Sequence, residues 1–160
     1  MKLSFQLSKV VCFLCLIPFL PAYAADLTGE ARIVDGDTIW IGKTKIRLHG
    51  IDAPEMRQEC HQQDGNAYLC GVASTDALRI LIGSGSVRCE GNTYDRYKRL
   101  IAVCYSDIAN LNAELVRQGR ALAYRRYSMD YVLVENEARD NKRGMWVGEF
   151  DSPWKWRRMQ

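Results

Sequence analysis

The sequence predicts an α+β fold in which a small β-barrel forms the main body and three helices are attached to it. Three observations carry this. Short runs rich in β-branched residues between Ala31 and Leu48 are separated by DGD and GKT, the turn chemistry that joins antiparallel strands. Two more strand-like runs, near 86–90 and 100–105, enclose the polar loop GNTYDRYKR. Stretches of helical period lie between the two groups of strands and after them, each closed by a glycine. At 160 residues, 48% of them hydrophobic, the chain is long enough for one core and short for two.

The elements follow in chain order. Residues 1–24 read as a cleaved export signal: Lys2 and Lys9, an apolar run from Val10 to about Leu20, and Ala22 and Ala24 flanking Tyr23 as an A-x-A site. The apolar run, broken by Pro18 and Pro21, falls short of the roughly 20 residues that span a bilayer. An exported protein, periplasmic or secreted, with no membrane partner after cleavage is the expectation. Residues 25–160 then form a single domain with a basic, aromatic tail from about 149. Ala31–Val34, Thr38–Ile41 and Lys45–Leu48 make a three-strand meander. A first helix is expected from Asn66 to Ile82, stopped by GSG; a second from about Leu111 to Gln118, stopped by Gly119; a third from about Met129 to Lys142, stopped by Gly144. The order βββ-α-ββ-α-α describes a five-stranded barrel of the oligonucleotide/oligosaccharide-binding type.

Charge says less than its distribution. The leader carries two of the 22 basic residues and none of the 19 acidic ones, so the remainder is close to neutral, yet residues 88–126 are rich in Lys and Arg and the tail holds WKWRR. Cys12 and Cys15 leave with the leader, and Cys60, Cys70, Cys89 and Cys104 remain. An even number in an exported chain suggests two disulfides, and four cysteines allow three pairings. Local pairing, Cys60–Cys70 and Cys89–Cys104, is the expectation. Zinc is disfavoured because no CxxC spacing remains and His49 and His61 are the only histidines.

The segments VDGDT, RLHGIDAPE, YDRYKR, NAELVRQGRA and ARDNKRGMW resemble the staphylococcal nuclease (thermonuclease) family in order and spacing, over about residues 28–148. DGDT alone is an ordinary hairpin turn; DGDT with Arg47 nine residues after its threonine, then D-x-P-E, then D-R-Y-x-R, is specific. The resemblance implies a five-stranded barrel with three helices and a Ca²⁺-dependent phosphodiesterase acting on DNA and RNA, leaving 3′-phosphates. It implies that the positions matching Asp37, Thr38 (through its carbonyl) and Asp52 bind calcium, that Glu55 is the general base, and that Arg47 and Arg99 are the site arginines. It places a tyrosine after the second helix beside the nucleotide; Tyr124 is the nearest match, with Tyr97 and Tyr127 as other candidates. Relatives often have glycine before the second arginine, where this chain has Lys98, a residue that takes positive φ only at a cost.

The residues supply the inventory that phosphodiester hydrolysis needs. Asp37 and Asp52 are hard oxygen ligands that an antiparallel return can bring together, and Asp35 beside them fits a supporting role. A positioned carboxylate such as Glu55 can activate water. Arg47 and Arg99 offer planar forks for phosphate oxygens. An aromatic face stacks an unpaired base whatever its identity, so single-stranded or frayed nucleic acid is the expected substrate and a monomer the expected state. The competing reading is a catalytically inactive barrel that binds nucleic acid or protein; a binding module has no reason to keep Asp37, Arg47, Asp52, Glu55 and Arg99 together.

Overall fold

The computed structural model describes residues 25–107 and 109–160; the expected signal peptide lies outside them. The meander forms as expected, with β2 (Ala31–Asp35), β3 (Thr38–Ile41) and β4 (Thr44–Leu48) paired antiparallel so that Thr38 stands between Asp35 and Arg47. The second pair of runs is a long hairpin of β8 (Val87–Tyr94) and β9 (Leu100–Ser106). β9 lies parallel to β4, with Ile46 opposite Leu100 and Leu48 opposite Ala102, which joins the two groups into one sheet. A strand the sequence reading did not anticipate, β1 (Ala25–Gly29), extends it on β8, giving the order β1-β8-β9-β4-β3-β2, with β10 (Ala109–Asn110) on β9. The five expected strands are therefore a contiguous part of a larger curled sheet, with β2 at one edge.

That sheet wraps one core. Alternation along β9 turns Leu100, Ala102 and Cys104 inward, against Ile39, Ile46 and Leu48 of the meander. The open side is filled by Leu78 and Ile82 of α1 (Cys70–Ile82) and by Leu111, Leu115 and Val116 of α2 (Leu111–Arg117), the latter capped by Asn110 on the amide of Ala113. Each fully buried Leu or Ile contributes about 1.5–3 kcal/mol. Cys89 stands directly opposite Cys104 in the hairpin and is disulfide-bonded to it.

Two helix starts differ from expectation. Residues 67–69 are not the first turn of α1 but β7 (Ala67–Leu69), paired with β6 (Glu59–His61), because Asp64 accepts the amide of Asn66 and Gly65 takes φ +83° to close a hairpin. Leu69, counted toward a helix face, is exposed. α3 (Val132–Asp140) begins three residues later than expected, after a turn in which Ser128 accepts the amide of Asp130. His61, expected in a loop, is an exposed residue of β6.

A second, smaller cluster of Cys60, Cys70, Leu122 and Met145, with Trp146, Phe150 and Trp154 against it, anchors the C-terminal segment. The Cys60–Cys70 disulfide lies at its centre. His61 exchanges two main-chain hydrogen bonds with Glu149, so the chain beyond the 3₁₀ turn Gly144–Val147 is strapped to the β6–β7 hairpin before it forms the short α4 (Pro153–Trp156). None of the described helices is long and apolar enough to cross a membrane.

Candidate active site

Strand pairing brings the first acids together. Asp37, in the turn before β3, and Asp52, at the end of β5 (Ile51–Asp52), both lie against the guanidinium of Arg47 on β4: Nη2 donates to Asp52 Oδ1 at 2.7 Å and Nη1 touches Asp37 Oδ2. The Asp37 carboxylate also accepts the amide of Ala53 at 2.8 Å and the hydroxyl of Thr38 at 3.1 Å. Asp52 is fully buried, and β5 is held in place by β11 (Leu122–Ala123), which the buried Glu135 of α3 fixes by accepting the amide of Ala123. Burial pushes the Arg47 guanidinium below its ordinary pKa, against the opposing pull of Asp52, and its Nη1 makes no well-aligned hydrogen bond. Arginine stays charged under such a shift.

Asp35 accepts the amide of Asp37 and is pushed above the usual carboxylate range by burial, a rise that the Thr38 hydroxyl and the charges of Arg47, Arg99 and Lys45 only partly offset. Gly36 between the two aspartates allows this turn to sit on α1, since a Cβ there would overlap the Ser74 hydroxyl.

Glu55 stands on the loop after β5. Gln58, fully buried, accepts the amide of Glu55 through its side chain, donates its own amide to the Glu55 carbonyl at 2.7 Å, and reaches the carbonyl of Asp151 in the tail at 2.6 Å. Gly71 in the first turn of α1 lets the helix press on the Glu55 carbonyl, which a Cβ would strike. Pro54 and these contacts hold the loop.

The fourth side of the site comes from the tail. Arg157, just past α4, donates from Nη2 to Asp52 Oδ2 at 2.7 Å, from Nη1 to Asp52 Oδ1 at 3.2 Å, and from Nη1 to Glu55 Oε1 at 2.7 Å. Burial alone would lower its pKa; the bonds to Asp52 and Glu55 outweigh that and raise it.

Arg99 lies at the base of the β8–β9 loop, close enough for its charge to act on Asp35 and Arg47. Asp95 holds it, accepting Nε at 2.8 Å and Nη2 at 2.7 Å together with the amides of Tyr97 and Arg99. Those bonds keep the Asp95 carboxylate below its ordinary pKa in spite of its partial burial. Lys98 does take the left-handed conformation that glycine would take freely, at φ 61°, and donates its amide to the Asp95 carbonyl. Of the three neighbouring cations, Arg96 turns to the Tyr97 ring and Lys98 to a groove with Trp40, Lys45 and Tyr94; Arg99 is the one whose charge reaches the acids.

The tyrosines separate. Tyr97 is exposed beneath Arg96 and Arg99. Tyr124 stacks on Trp154 with ring centres 5.3 Å apart and planes 3° from parallel, and Tyr127 meets its edge at 4.9 Å. His49 faces Asp130 at 3.7 Å and takes no part in the acid cluster.

Residues 45–148 match the family model of staphylococcal nuclease homologues. The chain belongs to the staphylococcal nuclease family. With it comes membership of the nuclease hydrolases. It is 37% identical over 146 residues to an "uncharacterized endonuclease" of Escherichia coli O157:H7, covering 86% of this chain and 89% of that protein. A "micrococcal nuclease" of Shigella flexneri is 34% identical over 171 residues, covering 95% and 92%. A succinoglycan biosynthesis protein, ExoI, of Rhizobium meliloti is 34% identical over 126 residues, covering 77% and 66%.

The staphylococcal nuclease family works with metal ions, and the donor chemistry here fits a hard divalent cation. Asp35, Asp37, Asp52 and Glu55 are four carboxylates facing the guanidiniums of Arg47 and Arg157, with Arg99 neutralised by Asp95. The excess is acidic, all of its donors are oxygens, and part of it is buried. Among the described residues no three His, Cys, Asp or Glu converge as a ready metal site, and Arg47 and Arg157 occupy the Asp52 oxygens.

Three residues escape the sequence reading. Gln58 and Glu135 carry no motif and act by positioning Glu55 and β5. Arg157 had a signal, the basic WKWRR, but nothing local ties it to residues 102 and 105 positions earlier.

Proposed function

We propose that the protein is an exported, Ca²⁺-dependent, sequence-tolerant endonuclease that hydrolyses phosphodiester bonds of DNA and RNA. The observation that supports it most is the Arg47 guanidinium bridging the carboxylates of Asp37 and Asp52, with Glu55 joined to the same cluster through Arg157. Asp37, Asp52 and the carbonyl of Thr38 would hold the ion, with the Thr38 hydroxyl ordering Asp37 and Asp35 in a supporting role. Calcium bound there supplies positive charge to a phosphate oxygen and a place for water. Glu55, fixed by Gln58 at the mouth of the cluster, takes a proton from the attacking water. Arg47, through the charge of its guanidinium, and Arg99, through the Nη1 that Asp95 leaves free, stabilise the phosphate oxygens as charge builds in the transition state. The substrate is read through phosphate, and Tyr97, Tyr124 and Tyr127 offer faces to bases without selecting sequence, which favours single-stranded or frayed regions. Two disulfides suit an oxidising compartment, periplasmic or extracellular.

The deciding experiment is release of acid-soluble nucleotides from heat-denatured DNA by residues 25–160, in Ca²⁺ and in chelator. Glu55→Gln should cut turnover about 10²–10⁴-fold while Ca²⁺-dependent nucleotide binding survives. If binding vanished as well, Glu55 would be a structural residue or a metal ligand. If the folded protein released nothing and still bound DNA, the inactive binding barrel would be the better reading.

A further inference from the structure

The tail does more than reach the acids. Arg157 opens into a groove of about 500 Å³ whose other walls are Ala123, Tyr124, Arg125, Arg126, Trp154 and Arg158. Arg125 is taken by the buried Glu135 at 2.5 Å. Arg126 and Arg158 are exposed and, among the described residues, form no ion pair with a carboxylate. Trp154 and Tyr124 lie parallel along the same groove, half-buried. Two cations without acid partners beside a pair of stacked rings, in a groove joined to Asp52 and Glu55 through Arg157, make the combination that tracks a nucleic-acid strand: charge for the backbone, a π surface for the base. The residues that build one wall, 154–158, lie beyond the segment matched by the family model.

We propose that α4 and the two arginines after it form a flanking-nucleotide subsite, in which Arg126 and Arg158 take the phosphodiester neighbouring the bond to be cut and the Trp154–Tyr124 pair supports the adjoining base. This rests on the nuclease reading above and deepens it. Arg157 links the two sites: it clasps Asp52 and Glu55 and also lines the groove. The occupant is a single strand, because the groove offers a sequence-indifferent aromatic face and no side-chain carboxylate or amide to read a base edge.

The test is binding of oligothymidylates of two and of eight nucleotides to the full mature chain in chelator, followed by fluorescence anisotropy across a range of salt. For the longer strand, the slope of log K against log salt should shrink by about 0.7 for each lost phosphate contact, so Arg126→Ala and Arg158→Ala should each show it and the double variant about twice as much. Arg79→Ala, on the far end of α1, should leave the slope unchanged. Trp154→Leu keeps an apolar group against Leu122 and Met145 and should weaken the longer strand roughly five- to a hundredfold by loss of stacking; thermal melting separates that from lost packing. The dinucleotide, too short to fill the groove, should bind little differently to any of the five variants. Unchanged slopes in both arginine variants, with the wild type binding the longer strand, would overturn the subsite and leave an ordinary solvated basic face. Failure of the wild type to bind either strand, in chelator or Ca²⁺, would instead strike the nuclease reading beneath it.

Discussion

The two halves of this site are made by different means. Asp37, Arg47 and Asp52 stand on or beside paired strands within sixteen residues of chain, with Arg47 and Asp37 nearly and Asp52 fully buried. Arg157 arrives from a four-residue helix, 105 residues from Asp52, with its side chain 37% exposed. The strand-built half owes its geometry to the barrel and cannot be altered without exposing buried charge. The tail-built half is held by a hairpin, a disulfide and one buried glutamine, and can yield. A centre that must admit a cation and a phosphate needs both properties: fixed acids, and a counter-charge that leaves.

The sharpest way to break the comparison is to remove one arginine from each half. Arg47→Ala leaves the buried Asp37 carboxylate without its cation and Asp52 with Arg157 alone, and should destabilise the fold by about 3–5 kcal/mol, while lowering turnover about 10²–10³-fold. Arg157→Ala, a partly exposed pair discounted for solvent screening, should cost no more than about 1 kcal/mol. Urea unfolding of the two variants measures this; equal losses would mean the tail is as integral as the strands.

Next is the fastening of the tail. Replacing Cys60 and Cys70 by serine should destabilise by about 2–4 kcal/mol and, in addition, speed proteolysis around 149–153, because the β6–β7 hairpin that straps Glu149 loses its tie to α1. Replacing Cys89 and Cys104 should cost a similar amount without selective cleavage there, since that bridge joins two strands already paired. Indistinguishable cleavage patterns would separate the tail from the hairpin.

How far the sequence speaks follows the same division. The meander, the β8–β9 hairpin and α2 were legible because alternation, turn residues and a helix-period stripe are local signals, and an antiparallel return between paired strands was enough to bring Asp37 and Asp52 together; Arg47, Glu55 and Arg99 were singled out by the motifs of the resemblance, which alone prefer Arg99 to Arg96 and Lys98. The hairpin 59–69 was not: Leu69 and Val72 fit a helical period, and only the Asp64–Gly65–Asn66 turn and the pairing of Cys60 with Tyr68 override it. Gln58 and Glu135 act through single contacts with distant backbone, and Arg157 through a chain reversal set by tertiary packing, which no window of sequence contains.

The Arg99 loop gives a smaller effect with a defined pH dependence. Asp95 is held below its ordinary pKa in the folded protein, so between that value and the unfolded one the unfolded chain binds more protons, and stability rises with pH through this window. The contribution is complete above the unfolded value and is lost as pH falls through the folded one. Asp95→Asn should therefore destabilise by about 1–2 kcal/mol at neutral pH, with the gap to wild type closing in acid, and should raise KM by letting Arg99 swing. A gap that persisted unchanged to the lowest pH would assign the loss to shape rather than charge.

Lys98 gives the smallest effect. Its φ of 61° costs a residue with a Cβ about 1–2 kcal/mol, whereas glycine takes it freely but loses about 0.5–1 kcal/mol more backbone entropy on folding. The two nearly cancel, so Lys98→Gly should change stability by less than about 1 kcal/mol. Lys98→Ala keeps the strain and removes the charge, so comparing alanine with glycine isolates the backbone: glycine should be the more stable, by a few tenths to about 1 kcal/mol. If alanine were the more stable, the turn would not be strained in solution. If glycine is the more stable and both variants bind the longer strand more weakly than wild type, lysine is kept at a backbone position that disfavours it for its charge, beside Trp40 and Tyr97 in a groove that shares no residue with the one the tail lines.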